Sequence, residues 1–120
     1  MLRGHRDLKV YQLAYKLAME IFNLSKNFPR EELYRLTSQL RRSSASIPAN
    51  IAEGYGQGGN AELARFLQMS MGSAYEVEYH ALLARDLRLV DVTKYEKLLG
   101  QIVEVKRMLA ALTVKVRSGR

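Results

Sequence analysis

The sequence predicts an all-α protein, an antiparallel up-down-up-down four-helix bundle with a kinked second helix. Three observations predict it. Apolar residues recur at steps of three and four through four separate stretches, and no strand-like alternation appears between them. The breaks are short: Phe28-Pro29, a glycine-rich run at Gly54–Gly59, and Leu89–Val92. Helices of about 20–27 residues joined by such turns must run antiparallel.

The elements follow in order. MLRGHR (1–6) reads as a loose basic arm, and Asp7 as the cap of a first helix. Val10, Ala14, Leu17, Ile21, Leu24 and Phe28 form its core stripe, widened by Tyr11, Tyr15, Ala18 and Phe22. Lys9, Gln12, Lys16, Glu20 and Asn23 make the wet face. Pro29 can open the second helix, with Glu31 and Glu32 in its first turn.

In the second helix Leu33, Leu36, Leu40, Ser43, Ser44, Ile47 and Ile51 share one face. Pro48 interrupts that pattern. It has no N–H for the Ser44 carbonyl and disfavours helical angles at Ile47, at a cost of about 3 kcal/mol. Ile51 keeps phase with Ile47 and Leu40, so one kinked helix is expected. The competing arrangement ends the helix near Ser46 and restarts it at Pro48.

Gly54-Tyr55-Gly56-Gln57-Gly58-Gly59 matches G-x-G-x-x-G. That fingerprint binds a dinucleotide only after a strand, within a βαβ unit. Here a helix precedes it, so a helix C-cap and turn are expected instead. Asn60 is the expected cap of the third helix, with Leu63, Phe66, Leu67, Ser70, Ala74, Val77, Ala81, Ala84 and Leu87 inward. Thr93 and Glu96 suit a capping box for the fourth, which buries Tyr95, Leu98, Leu99, Ile102, Val105, Leu109, Leu112 and Val116. Residues 117–120 are expected to fray.

Folding helices two and three back about the glycine turn sets Ser43, Ser44 and Ala45 against Ser70, Gly72 and Ser73. The close approach this implies makes Gly72→Leu a badly destabilising change. The same register brings Glu76 and Glu78 towards Arg35, Gln39 and Arg42 as a structural ion pair.

A chain of 120 residues with 48% hydrophobic composition is expected to form one domain with its own core. The absence of cysteine removes disulfides, thiol nucleophiles and cysteine-ligated metals. No apolar leader region and no membrane-length apolar run are present, which points to a cytoplasmic protein without a membrane partner. The net charge of +7 is uneven. Residues 1–30 hold six Lys/Arg against two acids and 91–120 hold seven against three, whereas the middle of the chain is close to balance.

Enzyme chemistry finds no footing. The two histidines are His5 and His80, and position 77 is Val77, so no Glu-x-x-His pair of a di-iron site exists. No Ser-His-Asp arrangement is indicated either, so no activity, metal or cofactor is expected. What remains is charge. Lys9 and Lys16 on the first helix, with Lys94, Lys97, Arg107 and Lys115 on the fourth, fall on neighbouring helices and can merge into a basic band for phosphate. The same distribution also describes an ordinary solvated surface. No base-reading motif is present, so any RNA or DNA binding is expected to be sequence-tolerant. Helix two also offers Ser46, Ala49 and Asn50 beside its core stripe, surface too small and too weakly charged for an exposed face.

SQLRRSSASIPANIAEGYG, preceded by FPREELYRLT and followed by FLQMSMGSAYEVE, resembles the four-helix-bundle family of 23S rRNA intervening-sequence proteins. DLKVYQLAYKLAMEIF fits as well, and the likeness covers about residues 7–112. The signature positions are Arg41, Arg42, Ser46, Ile47, Pro48, Asn50, Ile51, Glu53 and Gly54, with Gly72, Ser73 and Glu76 in helix three. The resemblance implies a homopentameric ring of bundles without enzymatic activity. It also implies similarity to the accessory variability proteins of diversity-generating retroelements, which bind nucleic acid and a nucleic-acid enzyme. Gln57 departs from the basic residue that the family often carries there. The implied function is therefore a non-enzymatic oligomeric scaffold for nucleic acid or nucleoprotein; the alternative is a protein–protein adaptor ring. In either, helix two near Arg41–Glu53 is the expected subunit interface.

Overall fold

The computed structural model describes residues 4–119. Four α-helices carry the structure: α1 (Lys9–Ser25), α2 (Ser38–Gln57), α3 (Asn60–Asp86) and α4 (Val92–Arg117). Each packs on the next and α4 returns to α1, which is the four-helix bundle expected from the periodicity. The bundle measures 45 × 24 × 22 Å.

The core comes from the predicted stripes. Val10, Ala14, Leu17 and Ile21 of α1 meet Leu40, Ile47 and Ile51 of α2, Leu67, Ala74, Val77 and Ala81 of α3, and Leu98, Ile102, Val105 and Leu109 of α4. Four residues assigned to the stripes lie outside, Phe22 of α1 among them at 39% exposed. Tyr15 and Leu87 are about half exposed, and Leu33 is 39% exposed. For Leu33 the cause is visible. A 3-10 turn (Arg30–Glu32) and a π-helical turn (Leu33–Thr37) precede α2, so the residues before Leu36 are out of phase with the helix that follows.

Pro48 sits inside α2, and the helix continues through it to Gln57. The buried serines around it are satisfied locally, as short hydroxyls in helices can be. Ser43 Oγ donates to Gln39 O at 2.9 Å and Ser44 Oγ to Arg41 O at 3.0 Å. Across the α2–α3 seam Ser70 Oγ donates to Ile47 O at 2.8 Å, and Ser46 Oγ lies 2.9 Å from Ser73 Oγ.

This register corrects the expected one. Ser70 and Ser73 do face α2, but against Ile47 and Ser46 rather than the Ser43–Ala45 run. The reason lies in the hairpin. Gly54 and Gly56 stay in α2, and the chain reverses at Gly58 and Gly59, whose φ angles of 77° and 86° suit glycine. The close approach moves accordingly. A Cβ at Gly54 would lie 2.8 Å from Phe66 Cβ, whereas Gly72 is exposed with open space around it. Gly72→Leu therefore has nothing to overpack against. The expected ion pair across α2 and α3 is also absent among the described residues: Glu78 pairs instead with Lys106 of α4.

All four helix starts differ from expectation. Helix α2 begins at Ser38 rather than Pro29, because the 3-10 and π turns fill the residues between them. Leu8, not Asp7, occupies the cap position of α1, because His5–Asp7 form a 3-10 turn. Gln12 Nε2 donates to Arg6 O at 3.0 Å, so this part of the arm is built onto α1. Residues 1–3 of the arm lie outside the described residues. Asn60 is already helical, and Gly59 precedes it without a side-chain cap. At α4 the cap is Asp91, which accepts from the Lys94 amide at 2.8 Å, two residues earlier than the Thr93 box. Helix α4 runs through Arg117, one residue into the stretch expected to fray; Arg120 is outside the described residues.

The end of α3 closes with a Schellman cap. The Leu89 amide donates to Ala84 O and the Arg88 amide to Arg85 O, both at 2.9 Å. Arg88 takes the left-handed position at φ 62°, a place usually held by glycine.

Candidate nucleic-acid interface

Helices α1 and α4 are neighbours, so the charges that the sequence places on each lie on adjacent elements. Lys9 and Lys16 are exposed on α1, and Lys94, Lys97, Arg107 and Lys115 are exposed on α4. The lysine ammonium groups make no ion pair within 4.0 Å among the described residues. Arg107 differs. Its Nε and a terminal nitrogen reach both oxygens of Glu104 at 2.9 and 2.6 Å. That hydrogen bonding holds Glu104 below the usual carboxylate range, and the Arg107 charge and the field of Lys9 act in the same direction. Lys9 thus acts on a carboxylate of α4, evidence of a shared surface.

At the other end of this face, Lys94 and Lys97 line a shallow groove of about 250 Å³ with Glu20, Asn23, Leu24 and Leu98. The same two helices also carry Glu20, Glu104 and the exposed Glu96. Arg107 is thus bonded to Glu104, while Lys9, Lys16, Lys94, Lys97 and Lys115 make no ion pair among the described residues.

The signature residues lie elsewhere, on α2 and α3, and most are explained by packing. Arg41 is half-buried and ties α2 to the end of α1. Its Nε donates to Ser25 Oγ at 2.7 Å, a terminal nitrogen reaches Phe22 O at 3.4 Å, and the guanidinium lies 5.2 Å from the Phe22 ring centre. Asn50 Nδ2 donates to Ser46 O at 2.9 Å, beside the proline that leaves the Ser44 carbonyl without its ladder donor. Gly54 permits the α2–α3 approach. Arg42, Glu53, Gly72 and Glu76 are exposed. Arg42 donates to Gln39 at 3.3 Å, and Gln57 donates to Glu53 at 3.4 Å.

Arg42 and Glu76 both act on His80. Burial pushes the His80 imidazole below its ordinary value; Glu76 opposes this and Arg42 adds to it. Its Nδ1 is buried without a hydrogen-bond partner. Sequence reasoning brought Glu76 towards Arg42 but left His80 out of the cluster, and it did not reach the Lys106 ammonium that sits 4.2 Å from the Tyr75 ring centre while bonded to Glu78. The spacing of Tyr75 and Glu78 was visible, but their partner on α4 depends on the α3–α4 register.

No group of three or more His, Asp or Glu side chains is placed to hold a metal ion among the described residues. None of the described helices is long and apolar enough to cross a membrane.

Among curated proteins none matches the chain. A crystal structure of a protein of unknown function from the S23 ribosomal protein family of Bacteroides thetaiotaomicron is similar to it. The two share 26% identity and a TM-score of 0.80, over 87% of this chain and 94% of that one. Residues 6–111 match the family described as 23S rRNA-intervening sequence protein, and the chain belongs to that family.

Proposed function

We propose that the protein is a non-enzymatic scaffold that binds nucleic acid or nucleoprotein through the α1–α4 face, without sequence specificity. The observation that supports this reading is that five lysines on two neighbouring helices are exposed and make no ion pair among the described residues. Phosphate neutralisation by such a band makes affinity fall steeply with salt. In a ring of copies the band repeats, and weak contacts add through effective concentration. Assembly into a homopentamer is part of the proposal. The exposed Ala49 on α2 supports it, as a small uncharged residue one turn before Glu53. Ser46 and Asn50 are already bonded within the chain and contribute less than their composition promised.

The test is fluorescence anisotropy with labelled single- and double-stranded oligonucleotides across about 50–200 mM salt. Binding of several unrelated sequences, with a salt slope reduced in Lys94→Glu/Lys97→Glu, supports the reading. Salt-insensitive binding, or none, overturns it. Sedimentation tests assembly separately, and a stable 13.7 kDa monomer at micromolar concentration removes the ring.

A further inference from the structure

A second surface of different character lies on the opposite flank of α1. Where the end of α1 meets the start of α2, Phe22, Leu33, Tyr34, Arg41 and Arg42 line an open groove of about 380 Å³. The volume is that of a small-ligand cleft. Its walls are mostly apolar, and they are unusually bare: Tyr34 is 89% exposed, while Phe22 and Leu33 are each 39% exposed. Large apolar side chains concentrated in one groove mark a docking surface.

The groove is also preformed. Arg41 is fastened to Ser25 Oγ and Phe22 O and covers one face of the Phe22 ring, which fixes that wall before anything binds. The opposite wall, Leu33 and Tyr34, stands on the π turn that takes these side chains out of the core phase. A rigid wall reduces the ordering penalty of association.

The rim decides the occupant. Arg42 donates to the neutral Gln39 and makes no ion pair within 4.0 Å among the described residues. Lys26 lies one turn beyond Phe22, and Arg30 three residues before Leu33. Of the neighbouring acids, Glu32 reaches Arg35 and lines the α2–α3 side instead, leaving Glu31. An apolar trough with the Arg42 guanidinium in its wall complements apolar side chains flanked by a carboxylate. It suits a polynucleotide poorly, since the guanidinium nearest the aromatic wall is already bonded and the floor includes aliphatic Leu33 and Ala45.

We propose that the α1–α2 groove docks a short acidic amphipathic peptide segment of a partner protein, its apolar side chains between Phe22 and Tyr34 and a carboxylate on Arg42. This site is separate from the α1–α4 face and does not rest on nucleic-acid binding.

The test is selection of a displayed random dodecapeptide library against the full chain, followed by anisotropy with a synthetic copy of the enriched peptide. The expected result is enrichment of peptides that combine bulky apolar residues with Asp or Glu. The affinity should fall at least about tenfold in Tyr34→Ala and in Arg42→Glu and stay unchanged in Lys94→Glu/Lys97→Glu. Both groove residues are exposed, so these variants keep the fold, and their melting curves check it. No enrichment, enrichment of basic peptides, or affinity indifferent to Tyr34 and Arg42 overturns the proposal. So does displacement of the bound peptide by an oligonucleotide. If Tyr34→Ala instead dissociates an assembly of the protein, the groove is occupied by a second copy and the proposal fails. Oligonucleotide affinity of the same variants is measured alongside; its loss or survival bears only on the α1–α4 face.

Discussion

Replacing Gly54 by alanine tests the packing of the α2–α3 hairpin with a single methyl group. The new Cβ would sit 2.8 Å from Phe66 Cβ, 3.0 Å from Leu63 Cδ1 and 3.5 Å from Leu63 Cα. Leu63 Cδ1 is the end of a flexible side chain and can move. Phe66 Cβ is fixed to the backbone of α3, so relieving the first contact requires the helices to separate. Overpacking of this kind costs about 1–3 kcal/mol, and the upper half of that range applies when backbone must shift. Against it stands the helix propensity of alanine over glycine, about 1 kcal/mol in favour of the variant. The net expectation is a loss of about 1–2 kcal/mol. For a chain of 120 residues this lowers Tm by about 4–8 °C. Thermal melting followed by circular dichroism reads it directly. Gly72→Ala provides the contrast, because Gly72 is exposed in mid-helix with open space around it. It should gain about 1 kcal/mol and melt about 4 °C higher. A Gly54→Ala variant that melts at or above wild type would refute the close approach and the register built on it.

Other outcomes follow from the same geometry. Arg88→Gly should raise Tm by about 2–4 °C, because glycine takes the left-handed Schellman position at φ 62° without the Cβ penalty; a lower Tm would show that the Arg88 side chain stabilises the turn. Thr37→Val should be neutral or stabilising by up to about 1 kcal/mol in urea titration, since the Thr37 hydroxyl is buried with no partner; a clear loss would reveal a hidden hydrogen bond. Asp91→Ala removes the cap of α4 and should cost about 1 kcal/mol, with Asp91→Asn retaining most of it. His80 titrates lower in the folded chain than its ordinary 6.5, chiefly through burial. The unfolded chain therefore binds more protons as pH falls through that value, and stability is lost on acidification. His80→Gln should show a smaller drop in Tm between about pH 7.5 and 5.5 than wild type; an equal drop would assign the loss to carboxylates alone.

Core and topology were legible because they depend on local pattern. Val10–Ala14–Leu17–Ile21 and Leu98–Ile102–Val105–Leu109 are buried as their spacing requires. The phase argument that carried α2 through Pro48 also held. What failed depended on the placement of single turns. Counting from the glycine run put the hairpin too early, since nothing local says that Gly54 and Gly56 remain helical. That one error moved the close-packed glycine from 54 to 72 and misassigned the partner of Glu78. The caps failed similarly: Asp7, Asn60 and Thr93 all have the right chemistry, but the preceding turns, not composition, decide which residue stands at the boundary. The basic residues of the first and last helices were legible as charge, and the six singled out are exposed. The Phe22–Arg41 groove was not, since a π turn leaves no periodic signal of its own.

The two helices that form the basic band are also the two ends of the chain. Three of the four seams join consecutive helices, and the α2–α3 seam is the most extensive. Contacts so local in sequence favour rapid folding outward from the central hairpin. The α1–α4 seam is the thinnest, and it alone must close a loop running through the whole bundle. A polyanion that bridges both helices would therefore act as a clamp across the seam most prone to part. Its binding energy would appear as slower hydrogen exchange in α1 and α4, while the central hairpin would change little.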